Sequence, residues 1–246
     1  MLSTALTLIV AACGSDAGTS VISSQEEVFF VTEDGVRIAA TLRVPERSRP
    51  GGVLLVHALG ADHHSWDLFA ARLQQRGYMS LAIDLRGHGG STRKDGASLV
   101  FEQFSAGDWA VAVNDLDAGK SYLIQRGADA RSFSLVGASL GANLALRYAA
   151  THEDVQALVL LSPGLEYKGI RAEPALADYG KRPLLLLTTE GDSYSASTCT
   201  RLKAKAPGFS ELREYPGAAH GTDILDVSTN AIEQILQWLD AVVGRT

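Results

Sequence analysis

The chain has 246 residues, 46% of them hydrophobic and 20% charged, with a net charge of −6. That apolar content excludes a disordered chain, and the length suits a single α/β domain whose core needs neither disulfide nor metal. The acidic balance argues against a nucleic-acid partner, which demands a basic face, and two cysteines cannot frame a disulfide scaffold or a structural zinc site.

Residues 1–12, MLSTALTLIVAA, carry no charged side chain and end in small residues. This is an apolar segment of signal-peptide length, too short to span a bilayer. Val10-Ala11-Ala12-Cys13 resembles a bacterial lipoprotein lipobox. The resemblance implies that Cys13 becomes the lipidated first residue of a mature chain held in the cell envelope, outside the cytoplasm. No Lys or Arg precedes the apolar run, and a short arm packed on a cytoplasmic domain is the alternative. Residues 13–27, rich in Gly, Ser and Thr, read as a flexible tether, and 28–246 as the folded domain. Cys199 is then a lone thiol, expected to behave as a small hydrophobe.

From residue 28 the chain alternates extended and helical patterns. VFFVT, a Glu33-Asp34-Gly35 turn and VRIAATLRV predict a hairpin. VLLVH (53–57) is a continuous apolar run, as expected of a parallel strand buried on both faces. A helix then places Trp66, Phe69, Ala70 and Leu73 on one side and ends near Gly77. Next come strand 78–83, a Gly-rich loop, one long amphipathic helix over 107–126, strand 133–136, helix 140–150 and strand 156–161. Strand 183–189, a helix over about 195–205, strand 212–216 and a closing helix over 226–243 complete the series. Such alternation predicts one α/β domain with a mostly parallel sheet flanked by helices.

The chemistry concentrates in a few residues. Gly137-Ala138-Ser139-Leu140-Gly141 is a G-x-S-x-G between a strand and a helix, where a sharp turn exposes the serine hydroxyl. A hydroxyl needs a neighbouring base. Of six histidines, His220 is the candidate, because it lies after the last strand and before the last helix. His63 and His64 open a helix, His88 sits in a turn and His152 ends a helix. Asp192, directly after strand 183–189, is placed to orient His220; Glu190 and Glu166 are its rivals. The order Ser139, Asp192, His220 is that of one triad class. An oxyanion would be held by the backbone N–H of Leu140 and that of Leu59 in the turn His57-Ala58-Leu59-Gly60.

With these motifs in view, residues 28–243 resemble an α/β-hydrolase of the small esterase and dienelactone-hydrolase-like kind. The matching parts are HALG (57–60), Asp84-Leu85-Arg86-Gly87-His88-Gly89, GASLG, Asp192 and His220; Ala58 stands where glycine is usual in the oxyanion turn. The resemblance implies a serine hydrolase acting on small carboxylic esters through an acyl-enzyme, with no cofactor or metal. A serine peptidase, a thioesterase, a cofactor-free perhydrolase and a non-catalytic surface binding module are the alternatives. The Asp84–Gly89 segment is expected to brace a turn. Between the strands at 156–161 and 183–189 only Ser162 to Arg182 intervene, room for one short helix near 173–179 and a minimal lid. Leu165, Tyr167, Ile170 and Leu176 are available as a modest apolar wall, or to pack on the core, which predicts short acyl chains. Any membrane association would run through the lipid anchor.

Overall fold

The computed structural model describes residues 23–228 and 230–243. Cys13, the apolar segment before it and all of the tether up to residue 22 lie outside the described residues. The chain runs through β1 (Ser24–Val31), β2 (Val36–Val44), β3 (Gly52–Val56), α1 (Asp67–Gln75), β4 (Met79–Ile83), β5 (Arg93–Lys94) and β6 (Ala97–Ser98). It continues through α2 (Ala106–Ala110), α3 (Val113–Gln125), β7 (Phe133–Ala138), α4 (Leu140–Thr151), β8 (Val155–Leu161), β9 (Glu166–Tyr167) and β10 (Ile170–Arg171). Then follow α5 (Ala172–Tyr179), β11 (Leu184–Thr189), α6 (Ser193–Lys205), β12 (Ser210–Tyr215), α7 (Asp223–Val227) and α8 (Ala231–Val242).

Ten strands form one sheet in the order β12-β11-β8-β7-β3-β4-β2-β5-β6, with β1 paired to β2. From β12 to β4 every pairing is parallel, and β2 returns antiparallel to β4. The mostly parallel α/β sheet read from the sequence is therefore the one observed. Both faces are dry, which explains the uninterrupted apolar runs. In β3, Leu54 and Val56 enter the core under α3, α4 and α5, while Val53 and Leu55 enter the core under α1, α7 and α8. β11 divides in the same way, Leu184 and Leu186 to one side, Leu185 and Leu187 to the other. Trp66, Phe69, Ala70 and Leu73 are all buried, as their spacing predicted.

Three boundaries differ from the sequence reading. β1 starts at Ser24, inside the stretch read as tether, because Ser24–Glu27 pair with Val44–Thr41. Glu27 accepts from the Thr41 hydroxyl at 2.7 Å and Glu26 pairs with Arg126 at 2.8 Å, so polar side chains serve this exposed strand well. The single helix expected over 107–126 is two. Ala112, Asn114 and Asp115 donate to the carbonyls three residues back, and this tighter turn separates α2 from α3. The closing helix is also two, interrupted where Ser228 turns extended (φ −105°, ψ 99°) and its carbonyl caps Ala231 N–H. Polar residues that bond locally compete with the helix at such a point.

Candidate active site

Strand β7 delivers Ser139 to the carboxyl edge of the sheet at φ 54°, ψ −119°, a sparsely populated region for a residue with a Cβ. Two glycines permit the turn. A Cβ on Gly137 would come within 2.4 Å of the Gly141 carbonyl oxygen, and one on Gly141 within 2.3 Å of the Val56 carbonyl oxygen. Strand β7, helix α4 and the end of β3 thus pack backbone against backbone, and the Ser139 N–H is pinned to the Leu161 carbonyl at 2.8 Å.

The three residues picked from the sequence meet in a row. The Ser139 hydroxyl lies 2.8 Å from His220 Nε2, and His220 Nδ1 lies 2.6 Å from Asp192 Oδ2. Burial raises the Asp192 pKa, but hydrogen bonds from His220 and Ser195 outweigh it and hold the carboxyl below its ordinary value. An ionised carboxylate only accepts, so Nδ1 carries the proton and Nε2 is left to accept from the serine. The loops bearing the acid and the imidazole are stitched together: Gly191 N–H donates to Gly217 O at 2.7 Å and the Thr189 hydroxyl to Ala219 O at 2.8 Å. Glu190 and Glu166 are exposed and have no hydrogen bond to His220.

Leu140 is the first residue of α4, so its N–H has no acceptor within the helix. Leu59 occupies the second position of a turn closed by the Ala61 N–H on the Ala58 carbonyl at 3.1 Å, with Gly60 at φ 79°. A turn of this kind leaves the N–H of its second residue unused. Two histidines hold the turn from behind. His57 Nδ1–H donates to Ala58 O at 2.7 Å and its Nε2 accepts from Leu85 N–H at 2.9 Å; His88 Nδ1–H donates to Arg86 O at 3.0 Å and its Nε2 accepts from Gly60 N–H at 3.2 Å. Each acceptor nitrogen would lose its bond on protonation. Burial pushes the His57 pKa down to about 4 and lowers that of His88 as well. Both rings are buttresses fixed in one tautomer.

A pH prediction follows for His57. Its folded pKa of about 4 lies below the unfolded value of about 6.5, so the unfolded chain binds the extra proton between the two. Stability contributed at this position is complete above pH 6.5 and is lost as pH falls towards 4, by on the order of 3 kcal/mol. His57→Asn removes that titration. Urea unfolding should show the stability advantage of the parent over this variant shrinking from pH 7 to pH 4; an advantage independent of pH would refute the assignment.

The Asp84–Gly89 segment is a brace, as expected. Buried Asp84 accepts from His63 N–H and His63 Nδ1–H through Oδ1 and from Gly90 N–H through Oδ2, each at 2.7 Å. Arg86 reaches both Asp115 and Asp34. His152 stacks on Tyr148 and donates to its carbonyl.

Sequence reasoning missed one residue and one hairpin. Ser162, after β8, adopts φ 48° and is fully buried; its hydroxyl accepts from Gly221 N–H at 3.0 Å, immediately after His220. No sequence signal marks a non-glycine residue in that conformation. The hairpin of β9 and β10 was not expected either. Its turn has Lys168 at φ 52° and Gly169 at φ 84°, and a Lys-Gly pair between short extended runs was the available signal. Of the residues available for an apolar wall or for the core, Ile170 and Leu176 take the second role and are buried in the core, while Tyr167 faces the site.

The family model for serine aminopeptidase, S33, matches residues 48–179, which hold the 57–60 turn, the Asp84–Gly89 brace and the Ser139 elbow. A monoacylglycerol lipase, abhd6-A of Xenopus laevis, is 28% identical over 173 residues, 65% of this chain and 48% of the relative. The chain thus spans about half the length of that curated relative. Among solved structures, a dienelactone hydrolase from Anabaena variabilis superposes with TM-score 0.67 at 21% identity, covering 89% of this chain and 96% of that one. An esterase from Pyrococcus furiosus superposes with TM-score 0.70 at 19% identity, covering 90% and 92%. These likenesses share the parallel sheet and its flanking helices. With more than half of its length matched by the model, the chain belongs to the serine aminopeptidase, S33 family of the α/β-hydrolase superfamily.

Proposed function

We propose that this hydrolase cleaves small carboxylic esters through an acyl-enzyme on Ser139. The hydrogen-bonded row Ser139–His220–Asp192, with the serine raised on a strained turn, carries this reading. His220 takes the Ser139 proton as Oγ attacks the ester carbonyl, and Asp192 holds the ring and stabilises the imidazolium. The developing oxyanion is received by the N–H groups of Leu59 and Leu140, the second assisted by the N-terminus of α4. His220 then protonates the departing alcohol. Water, activated by the same imidazole, releases the acid and restores the serine.

The chain between β8 and β11 supplies the substrate wall. It holds only a four-residue sheet and the eight-residue helix α5, and much of its apolar surface is already committed to the core. Little remains to bury an acyl tail, and each buried methylene adds about 0.8 kcal/mol. Specificity constants over a p-nitrophenyl ester series should therefore stop rising by about eight acyl carbons, with no rate jump at the micellar threshold. Values still climbing at palmitate would replace this reading by that of a lipase. Matched amides and thioesters in the same assay distinguish a peptidase, the activity named for the family, or a thioesterase.

We also propose that Cys13 carries lipid. The lipobox-like Val10-Ala11-Ala12-Cys13 supports this reading, with Ser24, where β1 begins, at the sheet edge opposite the Ser139 elbow. Incorporation of labelled fatty acid that survives in a Cys13→Ser chain would refute it.

A further inference from the structure

The β9–β10 hairpin lies across the site and is clamped from two sides. Buried Asn143 donates through Nδ2 to the carbonyls of Gly164 and Ile170, both at 2.8 Å, and accepts from Gly164 N–H at 3.1 Å. From α6, the Tyr194 hydroxyl accepts from Glu166 N–H at 3.1 Å and donates to Glu166 O at 3.2 Å. Tyr167 is held between these clamps. A Cβ on Gly164 would come within 2.6 Å of its ring, so the ring packs directly over that glycine. It also stands edge-on to Tyr194 at 5.7 Å and to His220 at 6.4 Å.

The hydroxyl of this fixed ring is unusual in the molecule. Tyr179, Tyr148 and Tyr78 donate to Pro183 O, Asp117 and Asp240 at 2.7, 3.0 and 2.9 Å. Among the described residues the Tyr167 hydroxyl is flanked by the Ser139 and Ser195 hydroxyls, and its hydrogen-bond contact is with Ser195 Oγ at 3.5 Å, the outer limit of a hydrogen bond. Burial raises its pKa, so it stays protonated. A half-buried donor without a short partner, held rigidly beside a nucleophile, is a donor kept for substrate. His220 returns its proton to the leaving alcohol, so the alcohol lies on the side that Tyr167 lines.

Resting on the ester-hydrolase reading above, we propose that the Tyr167 hydroxyl donates a hydrogen bond to a second oxygen on the leaving alcohol, a few bonds from the ester oxygen. The favoured substrates are then esters of oxygenated alcohols over esters of plain alkanols. Two near-isosteric esters test this, 2-methoxyethyl butyrate and n-butyl butyrate, on the parent and on Tyr167→Phe, with fluorophosphonate labelling of Ser139 followed in both. The ratio of kcat/KM for the two esters should fall about 5- to 10-fold in Tyr167→Phe, the scale of one hydrogen bond, while n-butyl butyrate changes less than about 2-fold. Comparing ratios between the two proteins cancels the intrinsic reactivity of the esters. An unchanged ratio, or an equal loss on both esters, with labelling intact, overturns this proposal and leaves the hydrolase reading standing. A parent that is neither labelled nor active on either ester overturns both.

Discussion

Replacing Ser139 by alanine is expected to lower kcat on any ester the protein hydrolyses by about a million-fold, the scale on which serine triads fail when the nucleophile is removed. The hydroxyl 2.8 Å from His220 Nε2 is the only part of the site that the change deletes. The backbone anchor of residue 139 to Leu161 O and the glycine contacts on either side are untouched. The protein should therefore unfold within about 0.5 kcal/mol of the parent. Ser139→Gly sharpens the point. At φ 54° and ψ −119° a Cβ costs on the order of 1–3 kcal/mol, offset in part by the freedom glycine gains in the unfolded chain. This variant should be as inactive as the alanine form and at least as stable as the parent. Thermal denaturation and steady-state kinetics on the same preparations check both. An active Ser139→Ala protein, or a Ser139→Gly protein less stable than Ser139→Ala, would contradict the account.

The second large effect is expected at the other end of the row. His220→Ala should cost nearly as much as Ser139→Ala, because among the described residues the serine has no other base within hydrogen-bond reach. The double variant should be no worse than either single one, since the residues act as a unit. Asp192→Asn leaves the geometry in place but offers an amide to Nδ1, which turns the imidazole to the wrong tautomer; about a 10⁴-fold loss is expected. Asp192 accepts from His220 at 2.6 Å and from the Ser195 N–H at 3.4 Å, so the asparagine retains partners and the fold should survive. Kinetics of the three variants check this ordering, and multiplicative losses in the double variant would contradict the coupling.

Much of this site was legible in the residues, for physical reasons that can be named. A parallel strand buried on both faces must be apolar throughout, so β3, β8 and β11 announced themselves as VLLV, ALVLL and LLLL. Backbone approaches of the kind at Gly137 and Gly141 admit only glycine, and that requirement marked the serine between them. Asp192 and His220 followed because sheet-edge loops hold the positions where catalytic groups gather. What the sequence did not carry was local geometry set by tertiary contacts. The break between α2 and α3 has no proline or glycine; Trp109 on one side packs against His88 and Phe104, and Asp115 on the other binds Arg86. Ser162 lies in a left-handed conformation without glycine, and its role depends on Gly221, distant in sequence. His57 reads as a strand-end residue that shapes the turn after it, and His88 as a residue in a turn of its own. The paired hydrogen bonds show how His57 does so, and reveal His88 as a second support of the Leu59 turn.

The central claim, a covalent acyl-enzyme on Ser139, is tested most directly by intact-mass spectrometry of the protein treated with a fluorophosphonate, followed by peptide mapping. The account predicts one adduct per chain, located on Ser139, formed slowly or not at all in His220→Ala and absent in Ser139→Ala. No adduct on a folded parent protein, or an adduct that persists in Ser139→Ala, would contradict it.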